Sequence, residues 1–99
     1  MIYEINGYKV TWNEDKNKSN FKKHGVTFNE AATVFSDENA LYSFDETHSE
    51  DEDRFILLGK SEYSTILTVC HCYRNGETII RIISARKATR EEANDYAGR

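Results

Sequence analysis

The 99-residue sequence has no proline, one tryptophan, one methionine and two cysteines. With no proline, repeat or low-complexity stretch, nothing marks a linker, and a single domain over residues 1–99 is the expectation. No run approaches 18 apolar residues, so no membrane-spanning helix is expected. The opening MIYEINGYKV has no basic segment followed by an apolar core, so no signal peptide is read and the cytoplasm is the expected location. Cys70 and Cys72 stand two apart in a strand-like run, a poor disulfide geometry. His71 between them makes zinc conceivable, but zinc sites usually want wider cysteine spacing and two more ligands. Two reduced thiols in a strand is the plainer reading.

Positive charge is also missing from one stretch. Residues 37–53 contain Asp37, Glu38, Asp45, Glu46, Glu50, Asp51, Glu52 and Asp53, and no Lys or Arg. The chain as a whole is acidic, with 13 Lys and Arg against 17 Asp and Glu and a net charge of −4. That balance argues against a nucleic-acid partner. Outside the acidic stretch, however, 13 bases face 9 acids, a balance of +4. The distribution leaves two readings: an acidic end with a basic surface elsewhere, or a merely solvated acidic loop. Hydrophobic residues at 38% and charged residues at 30% are ordinary for a soluble globular protein.

The local signals are clear. Asn6-Gly7 between alternating residues predicts a hairpin over 2–5 and 8–12, because Asn-Gly accepts the positive φ of a type I′ turn. Asn13 is a helix N-cap, and Gly25 a C-terminal stop just after His24. The helix between them is polar, with Phe21 its one large apolar residue, and is expected on the surface. Thr27 and Glu30 form a capping-box pattern before Phe28, Ala31, Ala32 and Phe35, a second and more buried helix over 28–36. Strands are expected at 40–44, 55–58, 65–74 and 78–85, with Asn75-Gly76 turning the last pair. Thr89 and Glu92 repeat the capping-box pattern before a final helix to about residue 97. The order predicts an α+β fold: an antiparallel sheet with two N-terminal helices and one C-terminal helix packed against it, gathered on one side.

A two-residue Asn75-Gly76 turn would set Arg74 opposite Glu77. Alternation then puts Leu67, Val69, His71, Tyr73, Ile80, Ile82 and Ser84 on one face. Ile66, Cys70, Cys72, Arg74, Ile79, Arg81 and Ile83 fall on the other. Arg81, a cation in mid-strand, reads equally as a stem packed on the sheet with its head at an edge, or as a donor fixed for a phosphate. Arg86 lies five residues on, so it shares a face with Arg81 only if the strand ends or bulges first. An ending near residue 85 would set Arg86 and Lys87 just before a helix N-terminus, where free N–H groups suit an anion. Their plainer reading is surface pairing with Glu91 or the acidic loop. Lys16, Asn20 and Lys23 form one stripe of the first helix. His24 at its end is either a simple cap or an acid–base group.

These residues resemble a known family. Trp12, Lys16, Asn20, Lys23-His24-Gly25-Val26, Phe28, Glu30-Ala31, Phe35 and Asp37 look like the opening pattern of the BrnT toxins. HSEDEDR, residues 48–54, with Gly59 and Ser61, is similar to its middle motif. Leu67, Val69, His71, Arg74 and IRIISARKAT, residues 80–89, with Glu92 and Tyr96, resemble its closing signature. The resemblance covers about residues 11 to 96. It implies a RelE-like fold and a type II toxin that cleaves mRNA without a metal or cofactor and blocks translation. It implies as partners an RNA substrate and a BrnA-like antitoxin with a ribbon-helix-helix domain, through which the complex reaches operator DNA. No membrane is implied.

Carried onto this chain, the resemblance makes His24 the acid or base. Arg54, Arg81 and Arg86 stabilise phosphate charge, and Lys16, Lys23 and Lys87 guide the backbone. His71 is a weaker candidate, on the face opposite Arg81. Trp12 either stacks a base or sits in the core. His48 and Glu52 either hold Arg54 in place or act chemically. The competing reading is a non-catalytic module that acts only in complex with its antitoxin. The nuclease reading requires guanidinium groups from separate segments to gather over one exposed patch of sheet.

Overall fold

The structure is a computed structural model that describes residues 2–5, 7–76 and 78–98. Asn6, from the first expected turn, and Glu77, the expected partner of Arg74, lie outside the described residues. The chain runs β1 (Ile2–Ile5), β2 (Tyr8–Thr11), α1 (Glu14–His24), α2 (Phe28–Thr33), a 3-10 turn (Val34–Ser36), β3 (Leu41–Phe44), a second 3-10 turn (Glu46–His48), β4 (Phe55–Lys60), β5 (Ile66–Arg74), β6 (Ile79–Lys87) and α3 (Arg90–Ala97).

The class is α+β, with one six-stranded sheet in the order β1-β2-β6-β5-β4-β3. The four-strand meander of β3 to β6 is as the sequence predicts. The expectation of a wholly antiparallel sheet is corrected: β2 lies parallel to β6, with Lys9, Val10 and Thr11 beside Ile79, Ile80 and Arg81. Parallel neighbours need a long connection, and everything from α1 to β5 supplies it. Thr11 Oγ1 donates to the Ile80 carbonyl across this junction at 3.2 Å.

The caps explain where the helices begin. Asn13 Oδ1 accepts from Lys16 N–H at 3.1 Å, and Gly25, at φ 72°, closes α1 by donating to the Phe21 carbonyl. Thr27 caps α2 by accepting from Glu30 N–H at 3.1 Å. The Glu30 carboxylate does not complete that box; it accepts from Ser61 Oγ at 2.7 Å. At α3 both halves of the box form, Glu92 N–H to Thr89 Oγ1 and Thr89 N–H to Glu92 Oε1.

The core lies under α1 and α2. Val10, Trp12, Val26, Phe28, Ala31, Ala32 and Val34 pack on Leu57, Leu67, Val69, Ile80, Ile82 and Ala85. Trp12 is therefore a core residue, edge-on to Phe28 at 6.3 Å. Lacking an apolar stripe, α1 docks by amides. Asn20, buried, donates to the carbonyls of Ala85 (2.7 Å) and Val26 (2.9 Å) and accepts from Ala85 N–H (3.1 Å). It satisfies the β6 backbone where β2 has already ended. Asn20 thus faces the sheet while Lys16 and Lys23 stay exposed, so the three do not form one outward stripe.

The helices are not all on one side. Glu92 of α3 accepts from Thr68 Oγ1 at 3.1 Å, and Thr68 alternates with the core residues Leu67 and Val69. The first turn of α3 therefore meets the face away from α1 and α2. Farther along, the Tyr96 hydroxyl donates to Asp37 Oδ2 at 2.6 Å, and the same oxygen accepts from Lys60 N–H at 2.8 Å.

Candidate active site

The register of β5 and β6 decides which arginines meet. Asn75 and Gly76 do have positive φ, 53° and 67°. Even so, pairing begins at Arg74 with Ile79, not at Arg74 with Glu77 as a two-residue turn requires. The partners are shifted by two residues: Cys72 faces Arg81 and His71 faces Ile82. A shift of two keeps every side chain on its expected face.

The next step breaks that parity. Cys70 pairs with Ser84, so Ile83 is an extra residue in β6. Beyond this bulge the alternation inverts. Ser84 moves to the face of Cys70, Ala85 takes the core side opposite Val69, and Arg86 joins the face of Thr68. Arg81 and Arg86 thus share one face although they are five residues apart and the strand runs on to Lys87. The expected end of the strand near residue 85 is corrected to a bulge.

Arg54, just before β4, reaches the same face. Its carbonyl accepts from Asp45 N–H at 2.8 Å, and its own N–H donates to Ser49 Oγ at 2.9 Å. These bonds fix the acidic loop beside the sheet. A cavity of about 180 Å³ results, lined by Asp45, His48, Arg54, Ile56, Thr68, Cys70, Ser84 and Arg86.

Most of the polar groups in it are held, and two guanidinium edges are not. Glu92 grips Arg86 end-on, with Nη1 to Oε1 at 2.7 Å and Nη2 to Oε2 at 3.0 Å. The Arg86 guanidinium, with Thr89 N–H and Thr68 Oγ1, holds the Glu92 carboxyl at about 2. This grip leaves the Nε–H edge of Arg86 for another acceptor. Arg54 Nε lies 4.0 Å from Glu52 Oε1, too long for a hydrogen bond, and has no partner among the described residues. Glu52 instead takes Arg74 Nη1 at 2.6 Å. His48 Nδ1 lies 3.0 Å from Asp45 Oδ2. Burial, then the Asp45 carboxylate, pushes the Cys70 thiol up to about 11, so it lines the site as a neutral thiol.

The residues singled out from the sequence divide. Arg54 and Arg86 line the cavity together. Arg81 lies on the same face beside Cys72, toward the hairpin end, and does not line it. Lys16, Lys23 and His24 are on α1, outside the lining. Lys87 pairs with Leu67 and so projects to the opposite, helix-bearing face. His71 is fully buried among Phe35, Tyr42, Phe55 and Tyr73, and burial lowers its pKa to about 4. Sequence reasoning did not find the Asp45–His48 pair as a unit, nor Thr68 and Ser84. The one available signal was the Asp-x-x-His spacing ahead of Arg54.

The sheet thus presents a small polar cavity with guanidinium groups from two segments beside a carboxylate-bound imidazole. The family model that matches the chain, over residues 12–92, describes a ribonuclease toxin, BrnT, of a type II toxin–antitoxin system. The match spans most of the sequence, and the chain belongs to the BrnT family of ribonuclease toxins. The 1.1 Å crystal structure of the Brucella abortus ribonuclease toxin BrnT has a similar fold, with a TM-score of 0.60 at 23% identity, covering 82% of this chain and 96% of that one. No curated protein matches the chain in sequence.

Proposed function

We propose that this chain is a metal-independent endoribonuclease that cuts mRNA in the cavity between Arg54 and Arg86. The observation that carries the reading is the bulge at Ile83, which brings Arg86 to the face where Arg54, Asp45 and His48 already stand. The 2′-hydroxyl attacks the adjacent phosphorus and the 5′-oxygen leaves, giving a 2′,3′-cyclic phosphate and a 5′-hydroxyl. With Nδ1–H held by Asp45, the His48 Nε2 lone pair takes the 2′-hydroxyl proton, and a water molecule gives the departing 5′-oxygen its proton, the resulting hydroxide being neutralised by the proton that His48 releases. Arg54 and the free edge of Arg86 stabilise the charge that grows on the phosphorane. Arg81 extends the track toward a neighbouring phosphate. His48 takes the acid–base role suggested for His24, and Lys16, Lys23 and Lys87 serve as surface charge that draws in the backbone. An antitoxin with a ribbon-helix-helix domain silences the activity and carries the complex to operator DNA.

A non-catalytic module is the second reading, and one observation favours it: Arg86 already has a carboxylate partner. Incubating the purified chain with single-stranded RNA and with ribosome-bound message, each in EDTA, separates the two. Cleavage with cyclic-phosphate ends is expected. The changes Arg86→Ala and His48→Ala each lower it roughly 100-fold with the circular dichroism spectrum unchanged. Intact RNA in both assays would leave only the second reading.

A further inference from the structure

β3 is an outer strand, paired among the described residues with β4 alone. Asp45 N–H donates to the Arg54 carbonyl, which sets the hydrogen-bonding phase of this pair. Alternation then turns the N–H and C=O of Leu41 and Ser43 toward β4, and those of Tyr42 and Phe44 away from the sheet. The side chains of the same two residues are exposed, 54% for Tyr42 and 46% for Phe44. Tyr42 stacks on Phe55 with centroids 5.3 Å apart and planes 17° apart, and Phe44 meets the same ring edge-on at 5.6 Å. His71, wholly buried and with Nε2 lacking a partner among the described residues, lies beneath them. An aromatic shelf therefore runs beside an unpaired strand edge, a surface suited to one more strand.

The surrounding charge selects that strand. Glu38, Glu46, Glu50, Asp51 and Asp53 are exposed around it, and residues 37–53 hold no Lys or Arg. Two copies of β3 paired antiparallel would bring Asp45 and Glu46 of each toward Glu38 of the other, like charge against like at both ends. The same acids repel an RNA strand.

We propose that β3 and its aromatic shelf dock an extended basic segment of a protein partner as a seventh strand. Alternate apolar side chains of that segment lie on Tyr42 and Phe44, and its Lys and Arg face the acidic loop. The proposal does not depend on the nuclease reading. Its probe is a nine-residue peptide alternating Val or Ile with Lys or Arg, titrated into the ¹⁵N-labelled full chain. The Tyr42 and Phe44 amides are expected to shift and to gain protection from hydrogen exchange. Binding is expected to weaken at least tenfold when Glu replaces Lys and Arg in the peptide, when alternate peptide amides are N-methylated, and in the exposed-site double variant Tyr42→Ser/Phe44→Ser. That variant keeps the RNA-cleaving activity of the parent chain, so the two readings fail separately. Shifts confined to other residues, equal binding of the acidic or N-methylated peptide, a concentration-dependent dimer through β3 in sedimentation, or an RNA oligonucleotide shifting the Tyr42 and Phe44 amides would each overturn it.

Discussion

Two side chains tie the stability of the fold to acid exposure. His71 is buried and held neutral with a pKa lowered to about 4, while an unfolded chain takes up the proton near 6.5. Stability is therefore expected to fall as pH drops from about 6.5 to 4, by up to roughly 3 kcal/mol, and to be indifferent to this group at lower pH. Glu92 follows on. Its contribution, chiefly from Arg86, is fully present above its ordinary value and is lost as pH falls from there toward 2. Urea unfolding across pH 7 to 2 reads both steps, and His71→Leu is expected to flatten the first while leaving the second. That His71 faces away from Arg81 was legible from alternation alone. That Glu92 joins Arg86, Thr68 and its own cap was not, because the capping pattern is local while the other two contacts cross from helix to sheet.

Among the elements, α1 shows how a helix without an apolar stripe attaches to a sheet. Asn20→Ala would strip the Ala85 N–H and two carbonyls of their partner, and is expected to cost about 2–4 kcal/mol in urea unfolding. Lys16→Ala, on the exposed side, should change stability by less than about 0.5 kcal/mol. Gly59 in β4 marks a second close approach. A Cβ there would lie 2.9 Å from Ala40 Cβ and from Val34 Cγ1, so Gly59→Ala is expected to lower the melting temperature by several degrees, a loss of about 1–3 kcal/mol. The caps Asn13, Thr27 and Thr89 were readable because capping chemistry is confined to a few adjacent residues. The inward turn of Asn20 was not, because a helical stripe gives spacing without saying which face meets the sheet. The bulge was hidden for another reason. Ile79-Ile80 and Ile82-Ile83 are adjacent apolar pairs, and either member of each fits a buried position.

At the scale of the whole molecule, one surface is acidic while the cavity is lined by arginines. Neutralising part of the loop with Glu50→Gln, Asp51→Asn and Asp53→Asn raises the net charge from −4 to −1. At low salt this is expected to tighten binding of a short RNA several-fold, measured by fluorescence anisotropy, with the difference fading as salt is raised. The basic peptide should respond in the opposite direction. The order of the sheet was only half legible: hairpins announce themselves locally, but nothing in residues 8–11 says that they lie parallel to a strand seventy residues away.

The extra residue at Ile83 has one more consequence. A folding chain that slipped β6 by one position to remove the mismatch would set Arg86 opposite Leu67, where the exposed Lys87 now stands, and would put the Ser84 hydroxyl in the buried place of Ala85 opposite Val69. Arg86 would leave the face on which Glu92 holds it, and a hydroxyl would enter an apolar site, so the misalignment is disfavoured twice over. The bulge that turns Arg86 toward the cavity is therefore also what keeps β6 in register with β5.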